Sequence, residues 1–352
     1  MAGFGLLELM IAMGLGLIVT AGVLVIFIAE QQVYNNSSSQ SLMQDANNAI
    51  SATISPVARG VGFLGCGVID TNTLNDLSGA PTPLTFNTSS AVQGYTGTIP
   101  SSFSFVDGAA NVTSAGDWNP SLDTSIVNAG GAEQGNDVLV LVGAVPNFQP
   151  IGLPNGVTTS PFTVNNVTNL PAMPVPVAVS DCGYSTVFLV TAVNGTSLTY
   201  SSGPNGTPQY PVGTQLVPLQ QTMFFVAQGH GGQSSLFEGV MTIPAGGSSL
   251  SGATWTVNEM VPGVTAMKVL YGIGTGGQAT QYVDASQVTN WLSVTSIKLG
   301  FVVEGDVGSV AKPSAAQSYT LFNDTNDVVT VPADTRLRHV FYMTINTRNS
   351  TL

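Results

Sequence analysis

Only 7% of the 352 residues are charged, against roughly 25% in an ordinary soluble domain, and uncharged Ser, Thr, Asn, Gln and Gly take their place. The balance of 7 basic and 19 acidic residues gives a net charge of -12; with only Arg336 and Arg338 close together, no basic cluster is available to neutralise phosphates and no nucleic-acid partner is expected. The length suits two domains or one large β-rich domain, and such sparse charge fits an acidic exterior as well as an ordinary secreted surface.

The first element is an apolar run. Between Phe4 and Ala29 the one ionisable residue is Glu8, and about 20 apolar residues are enough to cross the hydrocarbon of a bilayer. The run therefore predicts a spanning helix over residues 4–29. A cleaved secretory signal needs a basic start and a short apolar core, whereas the first Lys or Arg here is Arg59. A plain anchor leaves Glu8 unexplained, because a carboxylate costs about 2.5–3.5 kcal/mol at the centre of a span, less near its ends, and ordinarily has a partner. Gly14, Gly16 and Gly22 permit close helix approach in lipid, or are ordinary variation within a span.

Gly3-Phe4 followed by Glu8 resembles a type IV prepilin signal. The resemblance implies that a membrane prepilin peptidase cuts between Gly3 and Phe4 and that the new N-terminal Phe4 is methylated. It also implies that Glu8 pairs with the N-terminal ammonium of a neighbouring subunit entering a filament. The leader, residues 1–3 (Met1-Ala2-Gly3), departs from the pattern in lacking basic residues. Loop charge is consequently silent about orientation, and the resemblance alone places the C-terminal bulk outside.

After Ala29 the chain turns polar. Met43, Ala46, Ile50 and Ile54 recur at helical spacing and form one apolar stripe, so residues 30–58 are expected to continue the helix and lay that stripe on a globular domain. Pro56 and Gly60 are expected to end it.

The remainder, residues 59–352, reads as β structure with long loops. Residues 67–135 carry few periodic segments, and 146–180 reads as a Pro-rich connection. Clear strands, β-branched or aromatic and bounded by turn residues, are Asp137–Val145, Val187–Val193, Leu198–Ser201, Gln215–Ala227, Thr254–Met260, Val264–Ile273, Val294–Val303, Tyr319–Asn323, Asp327–Val331 and Leu337–Asn346. Cys66 and Cys182 both follow the apolar run. If that run exports the chain, they lie in an oxidising compartment and can pair, a bridge worth about 4–5 kcal/mol in the chain-entropy model. The bridge is favoured over two buried thiols.

Several separated segments resemble the PilW-type minor pilins. Arg59-Gly60-Val61-Gly62-Phe63-Leu64-Gly65-Cys66 is similar to that family's arginine-led, glycine-rich segment, Gly135-Asn136-Asp137-Val138-Leu139-Val140 to its G-[TS]-D-V-L strand, and Val179-Ser180-Asp181-Cys182 to its second cysteine site. Val261-Pro262-Gly263-Val264 through Met267-Lys268-Val269-Leu270-Tyr271-Gly272 resembles V-E-G-V-…-L-Q-V-x-Y-G, with Pro262 in place of the acid. Trp291 with Val294–Val303, and Asp334-Thr335-Arg336-Leu337-Arg338-His339-Val340-Phe341, resemble the last strands. The implied fold class is α+β: a long N-terminal transmembrane helix packed on a β-rich pilin domain, a lollipop also resembling the J-type pseudopilins of type II secretion.

The implied role is assembly rather than catalysis. A minor pilin of this kind primes or caps a type IV pilus with other minor pilins, supporting adhesion and twitching motility. Its partners would be other minor pilins and the major pilin through the N-terminal helix, the prepilin peptidase, the inner-membrane assembly platform and a tip adhesin. It would sit in the inner membrane before assembly and in the filament or its tip afterwards. A J-type pseudopilin, and a membrane-anchored surface hydrolase or glycan-binding protein, are the alternatives.

No chemistry is nominated against this. Gly-x-Ser-x-Gly is absent, so His230 in Gly229-His230-Gly231-Gly232 reads as a turn rather than part of an oxyanion hole, and His339 as a strand residue. Two distant histidines and two cysteines without Cys-x-x-Cys spacing predict no zinc site. No cofactor or metal is expected, and Asp324 and Asp327 are read as flanking a turn rather than holding calcium. Trp118, Trp255 and Trp291 are read as core residues in preference to a sugar-binding face. Arg336 and Arg338, placed two apart on one strand face, either meet acidic neighbours or are solvated.

Overall fold

The structure, a computed structural model, describes residues 5–66, 74–76, 91–157, 159–200, 202–204, 210–275, 277–310, 315–323 and 327–347. It begins with one helix, α1, Leu6–Arg59, of 54 residues, about 80 Å long at 1.5 Å per residue. Its apolar N-terminal half stands free: an 18-residue window of mean hydropathy 2.7 has 0% of its residues buried, so by length and composition α1 can cross a membrane. Its C-terminal half lies on the domain, with Met43, Ile50, Ile54, Val57 and Ala58 buried and Ala46 packed beside them. Each such large aliphatic side chain contributes about 1.5–3 kcal/mol by leaving water.

Pro56 does not end the helix as expected. It lies inside the last turn, and α1 runs on to Arg59 with Gly60 at its C-terminus. Proline removes one backbone donor, but burial of Val57 and Ala58 holds the turn, and the Gly60 N–H donates to the Val57 carbonyl at 3.0 Å.

The domain is built on strands introduced here in chain order: β1 (Val92–Gly97), β2 (Val138–Ala144), β3 (Val175–Ser180), β4 (Ser185–Asn194), β5 (Ser197–Tyr200), β6 (Gln215–Gln228) and β7 (Ser234–Thr242). They are followed by β8 (Thr254–Pro262), β9 (Val264–Thr275), β10 (Gln278–Val283), β11 (Val294–Glu304), β12 (Gln317–Thr320), β13 (Val328–Val331) and β14 (Arg338–Asn346). The large sheet runs β1-β2-β6-β3-β4-β5, with β7 and β8 added beside the second half of β6. The 14-residue β6 changes partners along its length, pairing β3 over Gln215–Pro218, β2 over Leu219–Phe224 and β7 over Thr222–Gln228. A second sheet has the order β10-β9-β11-β14, entirely antiparallel.

The end of α1 sits between these sheets. Met267, Val269, Ile297, Leu299, Phe301 and Ile345 of the four-stranded sheet share one core with Leu139, Leu141 and Phe224 of the large sheet and with Ile50 and Ile54. The chain leaves the helix pressed against β2, where Val61 bridges Gly143 and the Ala144 N–H donates to the Gly60 carbonyl at 3.0 Å. A Cβ at Gly143 would stand 1.9 Å from that Gly60 carbonyl oxygen, which is why no side chain fits.

Expected and observed strands differ in identifiable places. Residues 319–323, expected as strand, divide: Thr320 ends β12 and Leu321–Asn323 form a tight helical turn, with Phe322 at φ 56° and Asn323 at φ 60°. The connection 146–180 contains β3, whose Pro176 hid an otherwise buried strand; proline normally argues against a strand interior. Strands β1 and β10 are short, glycine-containing or polar, and β7 is interrupted by Glu238 and Gly239. None presents a clean two-residue alternation.

Candidate functional site

Three groups of side chains organise the molecule: the free half of α1, an ionic clasp at the base of the domain, and a buried charge cluster joining the sheets. Along the free half, Leu6, Leu9, Met10, Leu17, Ile18, Val25 and Ile28 are all exposed. Glu8 lies in the first turn, where its carboxylate accepts a hydrogen bond from the Gly5 N–H at 3.2 Å, satisfying one of the donors that every helix start leaves without an intrahelical partner. The Thr20 hydroxyl donates to the Gly16 carbonyl at 2.8 Å, so this polar group needs no water inside a bilayer. Gly3 and Phe4, the expected cleavage and methylation position, lie outside the described residues.

Where α1 meets the domain, the Gln32 amide donates to the Ser309 carbonyl at 3.0 Å, and the Asn36 amide reaches the same carbonyl at 3.4 Å. Ser39 is buried against Gly305, at which a Cβ would come within 2.6 Å of the Ser39 Cβ. The stem is thus held by loop 305–310 one turn before its apolar stripe begins, a contact with no periodic signal in the sequence. Beside it runs a groove of about 620 Å³ lined by Leu42, Asp45, Met260, Glu304, Val307 and Arg336. Leu42, Met260 and Val307 leave apolar surface exposed there.

The clasp beneath this groove answers the question left by Arg336 and Arg338: both meet acids. Arg336, which precedes β14 instead of lying in it, pairs with Glu304 and Asp107, while Arg338 holds Glu304 at 3.0 Å and Asp334 through both carboxylate oxygens. Burial and the nearby Asp107 push Glu304 up to about 7 despite the two guanidinium groups. Burial also pushes Asp334 up, but hydrogen bonds from Arg338 and the Arg336 amide outweigh it and hold that carboxyl below its ordinary range. Glu133, buried with Ser234 donating to it at 2.9 Å, is raised to about 8, chiefly by desolvation.

The third group explains the Gly135–Val140 segment. Asp137 is buried and accepts from Lys268 Nζ at 2.9 Å, from the Gly97 N–H at 2.9 Å and from the Val269 N–H at 2.8 Å. Asn136 receives the Met267 N–H at 2.8 Å on its side chain and the Trp118 indole at 2.8 Å on its carbonyl. Lys268 also lies 3.8 Å from Asp327. One carboxylate therefore ties the start of β2 to β1 and β9 across the two sheets. Both segments stand out in the sequence, but their pairing does not; a lysine within an apolar strand is its one signal, since a buried ammonium requires an acid.

Cys66 and Cys182 are joined in a disulfide, with Cα atoms 4.7 Å apart, tying the segment after α1 to the β3–β4 turn. His230 lies in the β6–β7 turn, its Nδ1 2.6 Å from Glu259. The tryptophans do not share a face: Trp118 is buried, Trp255 donates to Ser125, and Trp291 packs edge-on to Tyr271 at 5.0 Å. His339 is exposed on β14. Among the described residues no group of three or more His, Cys, Asp or Glu is arranged to hold a metal ion; Asp324 lies outside them.

Residues 223–349 match the family model described as Type IV Pilus-assembly protein W. The chain is PilW-like. The matched part holds the second half of β6 and all of β7–β14, hence the entire four-stranded sheet on which α1 lies. It includes the Val261–Gly272 and Asp334–Phe341 segments, whereas the Arg59–Cys66, Gly135–Val140 and Val179–Cys182 segments precede it. Among solved structures, a type IV-like pilin from Thermus thermophilus is 21% identical over 38% of this chain and 70% of its own, with a TM-score of 0.25; so loose a superposition adds nothing to the fold described above. No curated protein gives a significant match. The PilW resemblance supports a pilin role and, with it, contact with other pilins in general.

Proposed function

We propose that this PilW-like chain is a minor pilin that primes or caps a type IV pilus. One observation carries the reading: a single continuous helix is fully exposed and apolar through its first half and built into the domain through its second. A lone membrane anchor has no need of a rigid 54-residue helix clasped to its domain, whereas a filament subunit must carry its span out of the bilayer and repack it against its neighbours without the domain shifting. The clasp of Gln32, Asn36 and Ser39 supplies that rigidity.

In this reading prepilin peptidase cuts between Gly3 and Phe4, Phe4 is methylated, and Glu8 accepts the N-terminal ammonium of a neighbouring subunit. A carboxylate in lipid that can gain a cation only by docking gives assembly a direction, because the pair forms only when two starts are in register. Major and minor pilins would pack along the free half of α1, the exposed Leu42, Met260 and Val307 would extend the contact onto the domain, and the assembly platform would lift the subunit from the inner membrane. Tip adhesion and twitching motility would follow from the finished filament.

The test is replacement of Glu8 by Gln and by Leu in a strain lacking the native gene, scored for surface filaments by electron microscopy and for membrane insertion by fractionation. Filaments should be lost while the inserted, folded chain remains. Normal piliation with either variant would overturn the assembly role.

A further inference from the structure

One face of the four-stranded sheet lies on α1; the other is only half covered. Ala266, Val302 and Val340 on that outer face are sealed by Leu321, Val329 and Val331 from the β12–β13 hairpin and by Phe105. Beyond the hairpin the outer face opens into a groove of about 870 Å³, with Leu270 in its floor and Lys298, Tyr282, Tyr342, Phe322, Asn323 and Thr344 around it.

Among the described basic residues, Lys268, Arg336 and Arg338 are engaged with carboxylates, and Arg59 is exposed at the end of α1. Lys298 is engaged with a ring instead: its ammonium lies 3.7 Å from the Tyr282 ring centroid, and Tyr282 is itself fixed by a 3.0 Å hydrogen bond between its hydroxyl and Ser296. A ring face neutralises no charge and accepts no conventional hydrogen bond, so the ammonium keeps donors for an incoming acceptor. Opposite stand Tyr342, 50% exposed, and Phe322, with ring centroids 5.5 Å apart. Phe322 lies over Gly300 and is held there by backbone at φ 56°, followed by Asn323 at φ 60°. Two successive non-glycine residues in the left-handed region are a strained arrangement, and this places an aromatic wall on the rim of an open groove.

We propose that this groove binds a saccharide carrying an isolated carboxylate, a uronic-acid unit within an otherwise uncharged glycan. Aromatic walls suit the C–H faces of sugar rings, the rigid cation takes one carboxylate, and Asn323 and Thr344 offer amide and hydroxyl partners to ring hydroxyls. A dense polyanion would meet the repulsion of a chain whose net charge is -12, with a single lysine in the groove to offset it. An acidic peptide has no flat apolar face for the rings, and extended peptides are ordinarily taken at sheet edges by added strand pairing, whereas this groove lies on a sheet face. The proposal is independent of the assembly reading, since the groove is on the side of the sheet away from α1.

The test uses the full chain in a zwitterionic detergent without a sugar headgroup, titrated by calorimetry with glucuronosyl-xylobiose, which carries one carboxylate, its methyl ester and a capped tripeptide with one glutamate. Glucuronosyl-xylobiose should bind, and esterification or Lys298→Met should weaken it about tenfold or more, the weight of one charge-assisted hydrogen bond. Tyr342→Ala, at an exposed position, should weaken both saccharides while leaving the unfolding midpoint in place. No binding by the native chain, equal binding by Lys298→Met, or the single-glutamate peptide bound as tightly as glucuronosyl-xylobiose would overturn the proposal.

Discussion

Lys268→Met tests whether the two sheets are locked by charge. The substitution keeps most of the length of the side chain, one atom short, but removes the cation lying 2.9 Å from Asp137 and 3.8 Å from Asp327, both carboxylates being almost fully buried. Breaking a buried pair from one side costs about 3–5 kcal/mol, because the remaining charge stays uncompensated. The Gly97 and Val269 amides still solvate Asp137, which argues for the lower part of that range and a fall in melting temperature of roughly 10 °C. The cost should also depend on pH. Burial already pushes the Asp137 carboxyl up and Lys268 opposes that push; without the cation the carboxyl rises further and takes up a proton more readily. Urea unfolding of both proteins at pH 7.5 and near pH 4 reads this directly: the gap should be wide at the higher pH and narrow at the lower. A gap that is small at pH 7.5, or the same at both values, would refute the electrostatic lock and leave Lys268 as packing alone.

The native chain should itself be more stable at pH 5 than at pH 8.5. Glu133 and Glu304 are raised from 4.5 to about 8 and about 7; a folded-state pKa above the unfolded one gives stability that is present below pH 4.5 and lost as pH rises through the folded values. The total is on the order of a few kcal/mol, and Glu133→Gln should flatten the slope of the urea midpoint against pH; a midpoint that climbs from pH 5 to 8.5 would contradict this. Replacing Cys66 and Cys182 together by Ser opens a link between positions 116 residues apart and should lower stability by about 4–5 kcal/mol in the chain-entropy model, measured by urea unfolding of oxidised native chain against the variant. A loss well under 1 kcal/mol would contradict that model and show that the unfolded chain without the link already keeps those segments close together.

The sequence alone determined whatever depends on local pattern. An uninterrupted apolar run with a single acid is a property of consecutive residues, and so is the helical recurrence of Met43, Ala46, Ile50 and Ile54; both reappear as the two halves of α1. Long central strands such as β6, β9 and β11 were legible because burial demands β-branched and aromatic residues at every other position or throughout. Pairings between distant residues were not legible. That Asp137 meets Lys268, that Arg336 and Arg338 converge on Glu304, and that loop 305–310 clasps the stem at Gln32 and Asn36 depends on which strands become neighbours, and no local preference encodes that. Short strands such as β1, β3 and β10 form because a neighbour satisfies their backbone groups, so Pro176 or a glycine does not prevent them. The open groove at Lys298 is likewise tertiary: it exists because the β12–β13 hairpin covers only part of the outer sheet face.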